Sequence, residues 1–343
     1  MRRALLTAPR TLSWEEKPTP APEAGEVTVR IKAALTCGTD LKTYRRGHPK
    51  LGFGPFGHEA AGDIAAVGYG VQDWRAGDAV MWVQTAPCGR CARCKEQREN
   101  LCEHLFDGIA LGAYGDSLTL ARKIVAQNLF AKPPALTYIE AAFLEPLACV
   151  VHGWQVLNKS GASIAAGRPV AIVGAGTIGL LHLCYAKAAS VPAVVIGRGA
   201  ERLELARRLG AVEAFAEGQT TNERLFATVI ECAGTSQSWE RALQLVQPGG
   251  HVLFFSGLPA DSSLQLDATR IHYEELTALG SFHFSPADVR QAQRMLGART
   301  LPVRELISGV APLSALAEVF ARLDRRDGYK YALLPEPLPA QWD

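Results

Sequence analysis

Pro169-Val170-Ala171-Ile172-Val173-Gly174-Ala175-Gly176-Thr177-Ile178-Gly179 is the stretch on which the fold turns. A short apolar strand passes directly into Gly-x-Gly-x-x-Gly, and helical spacing then continues towards Ala189. The first glycine permits a tight turn, the second lets backbone approach a pyrophosphate, and the third lets helix pack on strand. The helix N-terminus attracts the anion. In this setting Gly174, Gly176, Thr177, Ile178 and Gly179 read as dinucleotide-binding residues. The same rhythm continues downstream, with strands expected over 193–196, 227–231 and 250–255 and helices over 201–209 and 239–246. Strand and helix in alternation predict a parallel sheet covered on both faces, over 149–285.

An acidic residue is expected at the end of the second strand of such a unit, where it holds the ribose hydroxyls of NAD. Here the text is Gly197-Arg198-Gly199. A carboxylate repels a 2′-phosphate, whereas a small residue beside a guanidinium leaves room and supplies a bidentate donor. NADP is therefore favoured, with Arg198 as first phosphate contact and Arg202 as second. NAD is the alternative.

Upstream the text changes character. Residues 1–148 are strand-rich and interrupted by Gly and Pro, with strands expected over 27–32, 63–67 and 78–83, which reads as a small irregular β-barrel. Residues 286–343 contain two expected helices, near 286–296 and 313–323, and a closing strand at 329–334. The fold class is α/β, a β-barrel domain joined to a doubly wound parallel sheet.

The 343 residues suit two domains. The balance of 36 Lys plus Arg against 34 Asp plus Glu leaves +2, which gives no broad footprint for nucleic acid or an anionic membrane. The N-terminal apolar run is too short for a signal peptide, and no run approaches the roughly 18 residues of a membrane span. A cytoplasmic location is expected. In a long chain without an export signal, the eight cysteines point to metal or catalysis rather than disulfides.

Cys88, Cys91, Cys94 and Cys102 carry the most specific metal signal. Four thiolates within fifteen residues close a tetrahedral shell around one zinc, with no place left for substrate, so a structural site is expected in a lobe near 86–104. Arg90, Arg93, Lys95 and Arg98 beside it leave a nucleic-acid zinc ribbon as the minor alternative. A second set is Cys37 with His58-Glu59. One thiolate, one imidazole and one carboxylate suit a catalytic zinc that keeps a position open.

Taken together, these residues resemble the zinc-dependent medium-chain dehydrogenases over essentially the whole chain. Gly57-His58-Glu59-Ala60-Ala61-Gly62 with Gly68 and Val71, Cys37-Gly38-Thr39-Asp40, the four-cysteine lobe and the glycine motif stand in that family's order. Glu145-Pro146-Leu147-Ala148 occupies the place where classical alcohol dehydrogenases have a second zinc-binding cysteine, which makes the chain similar to the polyol (sorbitol) and threonine dehydrogenase branch.

The resemblance implies a GroES-like catalytic domain over 1–148, a Rossmann domain over 149–285 and a C-terminal segment over 286–343 returning to the first. It places Cys37, His58 and Glu59 on a catalytic zinc, with Glu145 as alternating fourth ligand or proton carrier and Thr39 as first proton relay. Tyr44 matches a pocket-lining position. The histidine that many relatives carry three residues after that threonine is Lys42 here, and His48 is a candidate substitute. Cys149, Cys184 and Cys232 read as packing residues.

Implied partners are a small-molecule alcohol or carbonyl and other copies of the chain, a tetramer being favoured over a dimer. Two zinc ions and NADP are the implied cofactors. Three other readings stand beside this one: an NAD-dependent threonine or amino-alcohol dehydrogenase, a zinc-independent reductase, and a non-catalytic NADP-binding protein. Arg45, Arg46 and Lys50 raise a phosphorylated sugar as substrate, against a solvated basic loop.

Overall fold

The structure, a computed structural model, describes residues 1–48, 50–162, 164, 167–219, 225–259 and 262–336; the last seven residues of the expected C-terminal segment lie outside the described residues. It divides into two compact units. One contains Met1–Ala148, Phe284–Arg299 and the chain from Val303 on; the other contains Cys149–His283 and Thr300–Pro302.

The first unit is built on strand Val27–Leu35, which pairs antiparallel with Glu59–Val67, Ser117–Leu120 and Tyr331–Leu334. Ala79–Trp82 and Leu129–Ala131 continue the sheet on one side, and Gly309–Pro312 adds a parallel edge beyond Tyr331–Leu334. The C-terminal segment thus joins the N-terminal sheet. A hairpin of Arg2–Ala8 and Thr11–Glu16, with Gly54–Pro55, forms a separate three-stranded sheet. One core gathers inside, with Tyr44, Phe56, Trp82, Tyr114 and Phe320 among its aromatic members. Helix Leu316–Asp324 supplies Phe320, and a 3-10 turn, Leu313–Ala315, precedes that helix where sequence spacing predicts continuous α-helix.

The second unit is a six-stranded sheet in which every pairing is parallel. Its order is Glu213–Ala216, Ala193–Gly197, Val170–Val173, Phe226–Glu231, Val246–Phe254, Thr277–Gly280. The order reverses between Val170–Val173 and Phe226–Glu231, the switch point at which open α/β sheets bind ligands. Those two strands and Ala193–Gly197 are buried at every residue, the pattern of strands covered on both faces. Helix Thr177–Ala188 follows the glycine motif, and a Cβ on Gly179 would lie 1.8 Å from the Gly174 carbonyl oxygen, so only glycine fits. Helix Ser236–Leu245 starts three residues before the expected 239, because Thr235 and Ser238 cap each other reciprocally.

Candidate active site

Strand pairing assembles the first site. Leu35 lies opposite Glu59, so the end of one strand and the start of the next bring Cys37 to His58 and Glu59. Cys37 caps helix Gly38–Arg46, its Sγ accepting the Thr39 N–H at 3.4 Å. Gly57, with φ of 89°, turns the chain into His58 while packed so closely on Tyr114 that a Cβ would lie 2.7 Å from the ring. The ligand atoms of Cys37, His58 and Glu59 all lie within 4.8 Å of one another.

The surroundings of these three side chains fit a dication. Asp40 Oδ1 is 2.9 Å from His58 Nδ1, and Asp40 Oδ2 accepts the Tyr114 hydroxyl at 2.6 Å. A carboxylate on Nδ1 fixes the proton there and leaves the Nε2 lone pair for a metal. Lys330 Nζ donates to Glu59 Oε2 and, at 2.8 Å, to the Thr36 carbonyl. The other oxygen, Glu59 Oε1, is buried with no hydrogen-bond partner among the described residues.

Electrostatics agree. Burial pushes the Glu59 carboxyl up to about 7 against the pull of Lys330, and burial with the Glu59 charge raises the Cys37 thiol. Burial opposes an imidazolium at His58, but Asp40 and Cys37 outweigh it and hold the pKa well above the ordinary value. A group of anionic ligands this desolvated is stabilised by a positive ion among them.

Glu145 stands beside the three, on helix Leu144–Lys159. Its Oε2 is 4.0 Å from His58 Nε2, and its Oε1 accepts from Gln84 Nε2 at 2.9 Å. Thr39 is exposed in the first turn of its helix, and Lys42, one turn on, is exposed too. His48 Nδ1 accepts the N–H groups of Lys50 and Leu51 at 3.2 and 3.1 Å, so only Nε2 is open for proton transfer.

Tyr44 is 7% exposed and stacks on Phe320 at 5.0 Å between ring centroids, so its ring belongs to the aromatic core of this unit. Arg45 pairs with Asp324 at 2.5 Å, and the Lys50 ammonium sits over the Phe106 ring.

Cys88, Cys91, Cys94 and Cys102 form a second cluster, again with all ligand atoms within 4.8 Å. Backbone N–H groups point at the sulfurs, from Cys91 to Cys88 at 3.4 Å and from Cys88 and His104 to Cys102 at 3.3 Å each. Hydrogen bonds from the Arg90 and Cys91 amides lower Cys88 to about 6, while burial and the neighbouring thiol Cys91 push Cys94 up to about 12. Little apolar material surrounds them beyond Leu105 and Phe106, so bound metal is the natural core of this lobe. Cys184 and Cys232 are buried, and Cys149 is half-buried on helix Leu144–Lys159.

In the second unit Gly174 takes φ of 118°, Gly176 is the N-cap of helix Thr177–Ala188, and Thr177, Ile178 and Gly179 form its first turn. Arg198 follows the second strand, 63% exposed, with its Nε 3.1 Å from Glu217 Oε2; Arg202 lies in the first turn of helix Ala200–Leu209. Lys330, Gln84, Tyr114 and Glu217 carry no spacing signal for their contacts, since each reaches its partner across the fold. Asp40, a carboxylate three residues after a candidate thiolate, does carry a usable signal in the sequence.

Among the described residues no helix is long and apolar enough to cross a membrane. A family model for the alcohol dehydrogenase GroES-like domain matches residues 23–130, and one for zinc-binding dehydrogenases matches 177–298. The chain is 32% identical to sorbitol dehydrogenase of Bacillus subtilis over 83% of each chain, and 31% identical to D-altritol 5-dehydrogenase of Agrobacterium fabrum over 87% of this chain and 88% of that one. Its structure superposes with TM-score 0.84 on a Sinorhizobium meliloti protein described as a zinc-binding dehydrogenase bound to NADP, 27% identical, covering 97% of this chain and 99% of that one. With the barrel, the parallel sheet and these similarities in agreement, the chain belongs to the zinc-dependent medium-chain dehydrogenase/reductase family, in its polyol-dehydrogenase-like branch, and is an alcohol or polyol dehydrogenase.

Proposed function

We propose that the chain moves a hydride between a secondary alcohol or polyol and NADP, using a metal held by Cys37, His58 and Glu59, with a second, structural zinc in the four-cysteine lobe. The observation that carries this reading is the buried, unpartnered Glu59 Oε1 beside a histidine whose Nδ1 is committed to Asp40. Zinc bound there supplies Lewis-acid polarisation of the substrate oxygen.

The chain's own groups do the rest. Asp40 keeps His58 in the ligating tautomer, and Lys330 holds one Glu59 oxygen so that the other faces the metal position. Glu145, held at one oxygen by Gln84, would serve as a reserve carboxylate ligand or a proton carrier. The Thr39 hydroxyl would take the substrate's hydroxyl proton while passing its own outward, and NADP, when bound, would supply the acceptor for the carbinol hydrogen with its electron pair. Oxidation of the alcohol is thus matched by reduction of NADP+, with one proton released. Sorbitol and altritol dehydrogenases among the relatives support a polyol substrate. Arg198 between two glycines and the NADP-bound structural neighbour support NADP over NAD.

Turnover of a panel of polyols, amino alcohols and aromatic alcohols, measured with both cofactors alongside metal content, tests the proposal. It expects about two zinc per chain, polyol activity and a higher kcat/KM with NADP. A clear preference for NAD removes the cofactor assignment. Thr39→Val should retain zinc and cofactor yet lower kcat by at least about a hundredfold, and near-normal turnover removes Thr39 from proton transfer.

A further inference from the structure

Among the described residues of the second unit, one carboxyl group is buried, and the proposed reaction does not use it. Glu231 ends strand Phe226–Glu231, in register with Val173 on one side and Phe254 on the other, and is 0% exposed. It therefore stands at the switch point, level with the carboxyl ends of three neighbouring strands. Its Oε1 accepts the N–H groups of Ala233 and Gly234 at 2.7 Å each and lies 2.7 Å from the Ser238 hydroxyl. Its main-chain oxygen accepts from Phe255 and Ser256 at 3.1 and 3.3 Å.

This one residue consequently ties together the loop after the fourth strand, the first turn of helix Ser236–Leu245 and the end of the fifth strand. The loop it holds is also the neighbour of the glycine motif. A Cβ on Gly174 would lie 2.9 Å from the Ala233 nitrogen and 3.0 Å from the Cys232 carbonyl carbon. Both walls of the switch-point crevice thus meet where Glu231 anchors them. Its other oxygen, Oε2, is buried with no hydrogen-bond partner among the described residues. An unsatisfied buried polar atom is costly, and a packing residue would be better served by an apolar side chain. Local rules broken at a ligand crevice are the mark of a residue kept for binding.

We infer that Glu231 is a positioning residue for the dinucleotide: by holding the Ala233 and Gly234 amides it fixes the loop against the glycine motif and sets the width of the crevice that receives the cofactor. The inference rests on the reading of that motif as the dinucleotide site. It concerns the part of the cofactor common to NAD and NADP, so its signature differs from that of Arg198.

The test uses the zinc-loaded full chain and measures dissociation constants for NADPH and NADH by fluorescence titration, with kcat at saturating cofactor. Glu231→Ala should weaken both dinucleotides by the same factor, about tenfold or more, the scale of losing hydrogen bonds to a charged acceptor. Zinc content should be unchanged, and kcat within about threefold. Glu231→Gln keeps a carbonyl oxygen for the two amides and should restore affinity to within about twofold.

Should the alanine variant fail to fold, Ser238→Ala removes one of the three donors and should weaken both cofactors about threefold. Unchanged affinity in a folded Glu231→Ala or in Ser238→Ala overturns the inference, as does a glutamine variant no better than alanine. If the unaltered protein bound neither dinucleotide, the reading of the motif would fail first.

Discussion

The two units each bury a histidine, and they do so in opposite ways. In the barrel unit Asp40, His58, Glu59, Lys330 and Tyr114 are all nine-tenths buried or more, and each is bonded to another polar or charged partner. In the dinucleotide unit His182 is 0% exposed with no hydrogen-bond partner at either ring nitrogen among the described residues, packed edge-on against Phe255, and burial alone holds its pKa down at about 3. The barrel unit sets charge against charge around its buried histidine, whereas the second unit keeps its helix histidine neutral. Low dielectric strengthens the first arrangement and forbids ionisation in the second.

The comparison breaks most visibly at Lys330. Lys330→Met leaves Glu59 buried without its counter-ion and should cost about 3–5 kcal/mol at neutral pH, read from denaturant midpoints of metal-stripped protein. The sign with pH is fixed. The Glu59 carboxyl already titrates near 7, well above its ordinary value, so it destabilises the fold as pH rises through that range. Loss of the ammonium pushes it further up, and the deficit should shrink towards pH 5. A deficit that grew on acidification would show the pair to be misassigned.

Asp40→Asn comes next. Removing the carboxylate behind a histidine ligand lowers metal affinity about 10- to 100-fold, measurable by chelator competition, while the four-cysteine zinc should stay. Loss of both ions together would mean that the two centres are not independent. His182 supplies the contrast from the other unit. A folded-state pKa near 3 against the usual 6.5 means stability is full above pH 6.5 and is lost as pH falls towards 3, at about 1.4 kcal/mol per pH unit. His182→Leu should remove this acid limb, leaving the variant about 2 kcal/mol better off at pH 5, relative to the difference at pH 8.

How much of this was legible in sequence follows the same division. The glycine motif and the four cysteines could be read because their ligating groups lie within a few residues of one another, so spacing alone encodes geometry. The parallel sheet could be read because its three central strands, Val170–Val173, Ala193–Gly197 and Phe226–Glu231, are largely apolar. Lys330 could not, since it reaches Glu59 across 271 positions through the pairing of Tyr331–Leu334 with Val27–Leu35. Glu217 met Arg198 only once Glu213–Ala216 took its place beside Ala193–Gly197. The packing of Tyr44 is hidden for a related reason. Its family position pointed to a pocket, but what surrounds a side chain depends on the helix packed opposite, here Leu316–Asp324.

The finest distinction lies between two tyrosines of one core. Tyr114 donates to Asp40 and is 0% exposed; Tyr44 stacks on Phe320 and is 7% exposed, yet both belong to the same aromatic cluster. Tyr114→Phe leaves Asp40 one donor short and should cost about 1–2 kcal/mol, with a matching fall in metal retention. Tyr44→Phe keeps the stacked ring and should change stability by less than about 0.5 kcal/mol and turnover by less than about twofold. Equal effects in the two variants would mean that the polar network does not stop at Tyr114. A turnover defect confined to Tyr44→Phe would return that residue to the pocket and undo its placement in the core.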